Sequence, residues 1–321
     1  MLAAEVLSMS EDRGRHIGVH SIGHFAIAVP DVGRARHFFI EFGLDVRDTA
    51  DGIDLYTFGH DHRWGVIRRG PKKRLQYISL LTYAADMQRW RDHLRVQGIA
   101  EIDAPLGSAV ESDGIWISTP DGLPVHLGPG EKNSPDDRDT VIPTRRHSIE
   151  RGAPIRGTTT PTRPKRLAHI LLFTASLDIS IDFFSKALGL RLSDRSGGVA
   201  FMHGAHGSDH HLIAFAQSDG YGLHHSAWTV SSIDEIGLGS ERMTQQGYAR
   251  GWGLGRHVLG SNYFSYIRDP WGGYAEYSFD IDFVPASTEW QVWSPPPENS
   301  LYIWGPEVPP DFVRNYETTA D

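Results

Sequence analysis

This 321-residue chain has no cysteine. Disulfides, thiolate metal sites and cysteine nucleophiles are thereby excluded, and histidine and carboxylate remain as the metal-ligating side chains. Positive charge is not in surplus either: 31 lysines and arginines against 40 acidic residues give a formal net charge of −9. That balance argues against a nucleic-acid or anionic-membrane surface and for a small-molecule partner. No apolar run approaches a membrane span, and the first seven residues hold a glutamate and no basic residue. Neither export nor membrane insertion is expected, and a cytoplasmic setting is. Histidine, by contrast, is abundant at 17, with close pairs at His203/His206, His210/His211 and His224/His225.

The length allows two domains, each with its own core. An internal repeat supports that division. Ile22 to Val29 reads as a strand, followed by a helix with apolar Val32, Ala35, Phe38, Phe39 and Phe42 that Gly43 closes. Ala168 to Phe173 and a helix carrying Ile179, Ile181, Phe183, Phe184 and Leu188 repeat the design, ending at Gly189. Side by side, His24 matches His169, Phe38-Phe39 matches Phe183-Phe184, and Gly43-Leu44 matches Gly189-Leu190. A second pair of segments repeats as well: Gln76 to Tyr83 with Ile117 to His126, against His224 to Val230 with Ile267 to Glu276. The step from Pro120 to His126 equals that from Pro270 to Glu276. An α+β protein of four strand-helix-strand modules, grouped two and two, is the expectation. The boundaries read as 19–130 for the first half, 131–165 for an aperiodic linker, 166–284 for the second half and 285–321 for a proline-rich tail. That tail holds Trp290, Trp293 and Trp304 and is expected to pack on the body.

Glu276 stands out. Pro270 and Gly272-Gly273 break the chain, so Tyr274 to Phe279 reads as a strand with Tyr274, Glu276 and Ser278 on one face. A carboxylate in so aromatic a strand needs a cation, a metal or several donors. On the strand alone a solvated face or a buried arginine pair is the expected reading. The repeat changes the reading, because His169, His225 and Glu276 occupy the places that His24, Tyr77 and His126 hold in the first half. Two histidines and one carboxylate on three strands facing one cavity make a facial triad, which leaves positions on Fe(II) open for substrate and oxygen. The first half offers no carboxylate and reads as a non-catalytic copy.

These residues carry a resemblance. The second half resembles the type I extradiol, catechol 2,3-dioxygenase-like, ring-cleaving dioxygenases of the vicinal oxygen chelate (glyoxalase/bleomycin resistance) superfamily, and the likeness extends over nearly all of residues 19 to 284. It rests on the strand around His169, His-His around His211, His224-His225, Leu254-Gly-Arg-His257, Tyr263-Phe-Ser-Tyr266 before an Asp-Pro turn, and Glu276-Tyr277. The resemblance implies four βαβββ modules paired into two cup-shaped barrels. It implies Fe(II), or Mn(II), on His169, His225 and Glu276, with His211 as acid/base and His257 with Tyr266 as a hydrogen-bonding pair beside the metal site. It implies a small aromatic diol and O2 as substrates, and a homo-oligomer. Chemically, a neutral imidazole at His211 can take the proton a catechol loses, preplaced donors at His211 and His257 stabilise charge developing on oxygen, and the Tyr266 phenol can hold a substrate oxygen.

Two other functions compete. An isomerase or lyase of the same superfamily would use more carboxylate ligands than this chain supplies, and a metal-free aromatic-binding protein would not need an intact triad. Plainer expectations cover the remaining features. Gly251-Trp-Gly-Leu-Gly255 reads as a loop, because a dinucleotide fingerprint needs a strand-to-helix setting. His203, His206 and His210 read as solvent-facing loop residues, and His224 as packing on the face opposite His225. Trp252, Phe264 and Tyr274 are expected to line the pocket.

Overall fold

A computed structural model describes residues 16–110, 113–138, 153, 155–248 and 250–318. In chain order the first half forms β1 (Ser21–Val29), α1 (Val32–Phe42), β2 (Asp45–Asp48), β3 (Gly52–Tyr56), β4 (Gly65–Arg69), β5 (Arg74–Thr82), α2 (Met87–Val96), β6 (Ile115–Ser118) and β7 (Pro124–Pro129). The second forms β8 (Arg166–Thr174), α3 (Leu177–Leu188), β9 (Arg191–Ser196), β10 (Val199–His203), β11 (Ser208–Asp209), β12 (Ile213–Gln217), β13 (Gly222–Thr229), α4 (Ile233–Gln245), β14 (Arg250–Arg256), β15 (Tyr263–Arg268), β16 (Tyr274–Phe279) and β17 (Phe283–Val284). Two mixed sheets result, ordered β2-β3-β4-β1-β5-β7-β6 and β14-β15-β16-β13-β8-β12-β10-β9, with β11 and β17 paired separately. Read outward from the central β1-β5 and β8-β13 pairs, the orders are the same. The fold is the α+β architecture the repeat implies. Among the described residues, the second module has no counterpart of β14.

The repeated helices form for repeated reasons. Ala35, Phe38, Phe39 and Phe42 recur at helical spacing and are buried, Asp31 accepts a capping bond from the Arg34 amide, and Gly43 ends α1 at φ 103°. Gly189 ends α3 in the same left-handed conformation, at φ 67°. β1 is buried along its whole length and β8 along all but its first residue, as central strands covered on both faces should be.

One core cluster runs through both halves. At the junction Tyr277 stacks on Phe42 at 4.0 Å, and its hydroxyl donates to Phe42 O at 2.9 Å. Lys73 pairs with Asp269 at 2.7 Å across the same junction. Of the linker, residues 139–152 and 154 lie outside the described residues. On its near side the Asn133 and Ser134 amides bond to Ser21 Oγ.

Two expectations are corrected. Residues 251–255 are strand, not loop: the glycines are there because rings occupy their side-chain space. A Cβ on Gly251 would lie 2.5 Å from Tyr274, and one on Gly255 2.6 Å from Phe264. The tail does pack, but not through its later tryptophans, since Trp293 and Trp304 are 56 % and 44 % exposed. The Arg195 and Arg256 amides donate to the Trp293 and Trp304 carbonyls and hold it, with Phe312 buried against Trp252 and Tyr266.

Candidate metal centre

The turn before β16 is closed by Asp269, whose Oδ1 accepts from the Trp271 and Gly273 amides at 2.8 and 3.1 Å while Oδ2 takes Lys73 Nζ. From it β16 runs parallel to β13, with Glu276 opposite Ala227, and β8 runs antiparallel to β13, with His169 opposite the same Ala227. His225, two residues earlier on β13, shares that face. In the first half His24 and His126 both stand opposite Ser79, with Tyr77 in the place of His225. The register thus reproduces the equivalences seen in the sequence.

His169 Nε2 and His225 Nε2 each lie 3.3 Å from Glu276 Oε2, and the three residues are at most 2 % exposed. Glu276 Oε1 accepts from Asn262 at 3.1 Å, but Oε2 and His225 Nε2 have no hydrogen-bond partner. Their 3.3 Å approach lacks hydrogen-bond geometry. Assignment of the network explains why. His224 Nε2 donates to Phe312 O at 2.7 Å, so its Nδ1 accepts from His225 Nδ1–H at 2.7 Å, and His225 presents a lone pair at Nε2. An orphaned carboxylate oxygen facing the His225 lone pair, with His169 Nε2 at the same distance, is what a divalent cation satisfies. Burial lowers His225, which favours the unprotonated, ligating form.

The remaining residues expected at the site gather around these three. His211 lies with its ring 4.0 Å from that of His169, and burial first, then His169, His210, His225 and His257, keep it well below an ordinary histidine pKa. His257 Nδ1 donates to the tail carbonyl of Leu301 at 2.7 Å, leaving Nε2 to accept from the Tyr266 hydroxyl at 3.0 Å. Burial lowers His257 to about 4 and, with Glu276, raises Tyr266 well above its usual value, so both are neutral near pH 7. His169, His225, His211, His257 and Tyr266 open on one cavity, whose apolar walls include Leu171, Val199, Phe201 and Trp252, with Leu301 and Phe312 added by the tail.

Some placements differ from expectation. His203 and His210 are buried, 2 % and 0 % exposed, because Ser193 and Asp194 on β9 supply polar partners inside the core. His224 lines the cavity beside His225, since a register irregularity between Leu223 and His225 breaks strict alternation. Phe264 and Tyr274 do not line the cavity; they pack behind Trp252 and Tyr266. Asn262, Leu301 and Phe312 were not foreseen. Counting back from Tyr266 in steps of two reaches Asn262, but no local pattern marks the tail residues.

A sequence profile of the Glyoxalase/Bleomycin resistance protein/Dioxygenase superfamily matches residues 166–277. Metapyrocatechase 2 of Cupriavidus necator is 44% identical over 307 residues, spanning 95% of this chain and 94% of its own. Biphenyl-2,3-diol 1,2-dioxygenase of Metapseudomonas furukawaii is 26% identical, over 90% of this chain and 94% of its own. Among solved structures, the Mn(II)-bound glyoxalase from Novosphingobium aromaticivorans superposes with TM-score 0.73 at 25% identity, covering 94% of this chain and 95% of that one. The chain belongs to the type I extradiol dioxygenases of this superfamily. It is an oxidoreductase of the ring-cleaving kind.

Proposed function

We propose that the chain cleaves a catechol-type aromatic with O2 beside its two hydroxyls, using Fe(II) held by His169, His225 and Glu276. The observation that carries this reading is the buried convergence of His169 Nε2 and His225 Nε2, each 3.3 Å away, on a Glu276 carboxylate oxygen that has no hydrogen-bond partner. Bound there, divalent iron would bring both substrates to one centre and pass electron density between them.

The chain's own groups supply the rest. His211, neutral and beside His169, takes a proton from a catechol hydroxyl at its free ring nitrogen and returns it to the product. Tyr266, its proton engaged by His257 Nε2, offers its oxygen to the substrate's remaining O–H. His211 and His257 edge the space where charge develops on oxygen. The apolar walls and the tail's Leu301 and Phe312 exclude water and take the aromatic ring. The similarity to metapyrocatechase 2 and a biphenyl-diol dioxygenase supports the catechol class. The similarity to a Mn(II)-bound structure favours manganese as the second metal to test.

In the first half His126 bonds to Ser79 at 3.0 Å and His24 to Tyr77 at 3.1 Å, which supports a non-catalytic domain over 19–130 and catalysis by 166–284. The reading also carries a homo-oligomer in the cytoplasm, which sedimentation and cell fractionation check. The functional test is parallel anaerobic loading with Fe(II) or Mn(II), then oxygen uptake with a catechol panel. Uptake with iron supports the reading. Isomerisation of a substrate under argon, with no uptake by either form, favours the lyase class.

A further inference from the structure

Behind His211, on the side away from the cavity, lies a run of buried polar groups that the proposed chemistry has not used. His210 Nε2 donates to Asp194 Oδ2 at 2.7 Å, and His210 Nδ1 meets His211 Nδ1 at 3.1 Å. Asp194, His210 and His211 are 4 %, 0 % and 3 % exposed. The other carboxylate oxygen, Asp194 Oδ1, accepts the Trp293 amide of the tail at 2.6 Å.

We infer that Asp194 and His210 are positioning residues that fix the ring tautomer of His211. The inference rests on the acid/base role proposed for His211. A carboxylate can only accept, so His210 carries its proton on Nε2 and has a lone pair at Nδ1. That lone pair accepts from His211 Nδ1–H. The nitrogen of His211 left for the cavity, Nε2, is therefore unprotonated and ready to act as a base. The tail takes part as well: Trp293 N–H requires an oxygen at Oδ1, which fixes the single orientation an amide could take in place of the Asp194 carboxylate. In Asp194→Asn the oxygen must stay on Trp293 and the NH2 must face His210 Nε2. His210 then shifts its proton to Nδ1, His211 must accept there, and the His211 proton moves to Nε2, where it abolishes the base.

The test uses full-length, metal-loaded protein. Asp194→Asn should lower kcat by about 10²- to 10³-fold, within the range for a lost general base, with KM and metal content unchanged. In a His211→Phe background the same change should have no further effect. If Asp194→Asn does not fold, His210→Phe is read in the same cycle. Histidine-labelled NMR of zinc-loaded protein reads the tautomer directly and without turnover. Wild type should show His211 protonated at Nδ1, and Asp194→Asn should show it protonated at Nε2. Equal losses of kcat in both backgrounds, or a wild-type His211 unprotonated at Nδ1, overturns the inference. Absence of ring cleavage by wild type counts against the proposed function alone, because the NMR arm still decides the relay.

Discussion

Removing the Asp269 carboxylate should destabilise the protein far more than a surface ion pair would suggest. Asp269 closes the turn that delivers β16 and Glu276, through the Trp271 and Gly273 amides, and it pairs with Lys73 of the first half. The side chains of Lys73 and Asp269 are only 6 % and 10 % exposed. In Asp269→Ala two backbone bonds are lost, at about 1 kcal/mol each. A nearly buried ammonium is also left unpaired, at about 3 kcal/mol, the low end for such a loss because Glu317 still attracts it. The total is about 5 kcal/mol. At roughly 2.1 cal/mol/K per residue of unfolding entropy, that lowers the Tm of this 321-residue chain by about 7 °C. Thermal and urea denaturation of Asp269→Ala, Lys73→Met and the double variant measure it. Because Lys73→Met removes the stranded charge, the double variant should regain about 3 kcal/mol relative to Asp269→Ala. A loss under 1 kcal/mol, or strict additivity, would refute the reasoning.

The metal site makes two further predictions and the buried histidines one. Elemental analysis should find one metal per chain; Glu276→Ala should lose most of it, while His24→Ala and His126→Ala should not, and two tightly held metals would contradict the non-catalytic assignment of the first half. His211→Phe should keep metal and substrate binding but slow turnover by about 10²- to 10⁴-fold, with a smaller loss in Tyr266→Phe, as stopped-flow and metal analysis will show. Burial lowers His20 to about 3 and His126 and His203 to about 4, against 6.5 unfolded. These groups favour the folded state above pH 6.5 and lose that contribution as pH falls toward 4, at up to about 4 kcal/mol per unit for the three together. Urea midpoints that do not fall between pH 6.5 and 5 would contradict this.

Much of the fold was legible because the repeat writes itself twice. His24 with His169, the paired phenylalanines and the terminal glycines of α1 and α3 carry the module order, and the sheets keep it. The candidate ligand set stood out for the same reason: a carboxylate replaces His126 where the two copies should agree. What stayed hidden depends on distant chain segments. Nothing near His210 says that it is buried, because its partner Asp194 lies on another strand. The burial and ring placement of His224 depend on a bulge and on the Phe312 carbonyl, far along the chain. The tail's part in the site could not be read from its tryptophans, since backbone carbonyls and Phe312 do the work.

The central claim is that His169, His225 and Glu276 hold one iron at which a catechol and dioxygen react. Isotopic labelling tests it most directly: protein loaded anaerobically with Fe(II) is mixed with a catechol and labelled O2, and the product is analysed by mass. The account predicts oxygen uptake equal to catechol consumed, both labelled atoms in one ring-opened product, and neither with Glu276→Ala. Full iron occupancy without uptake across the panel, or a product carrying no labelled oxygen, would contradict it.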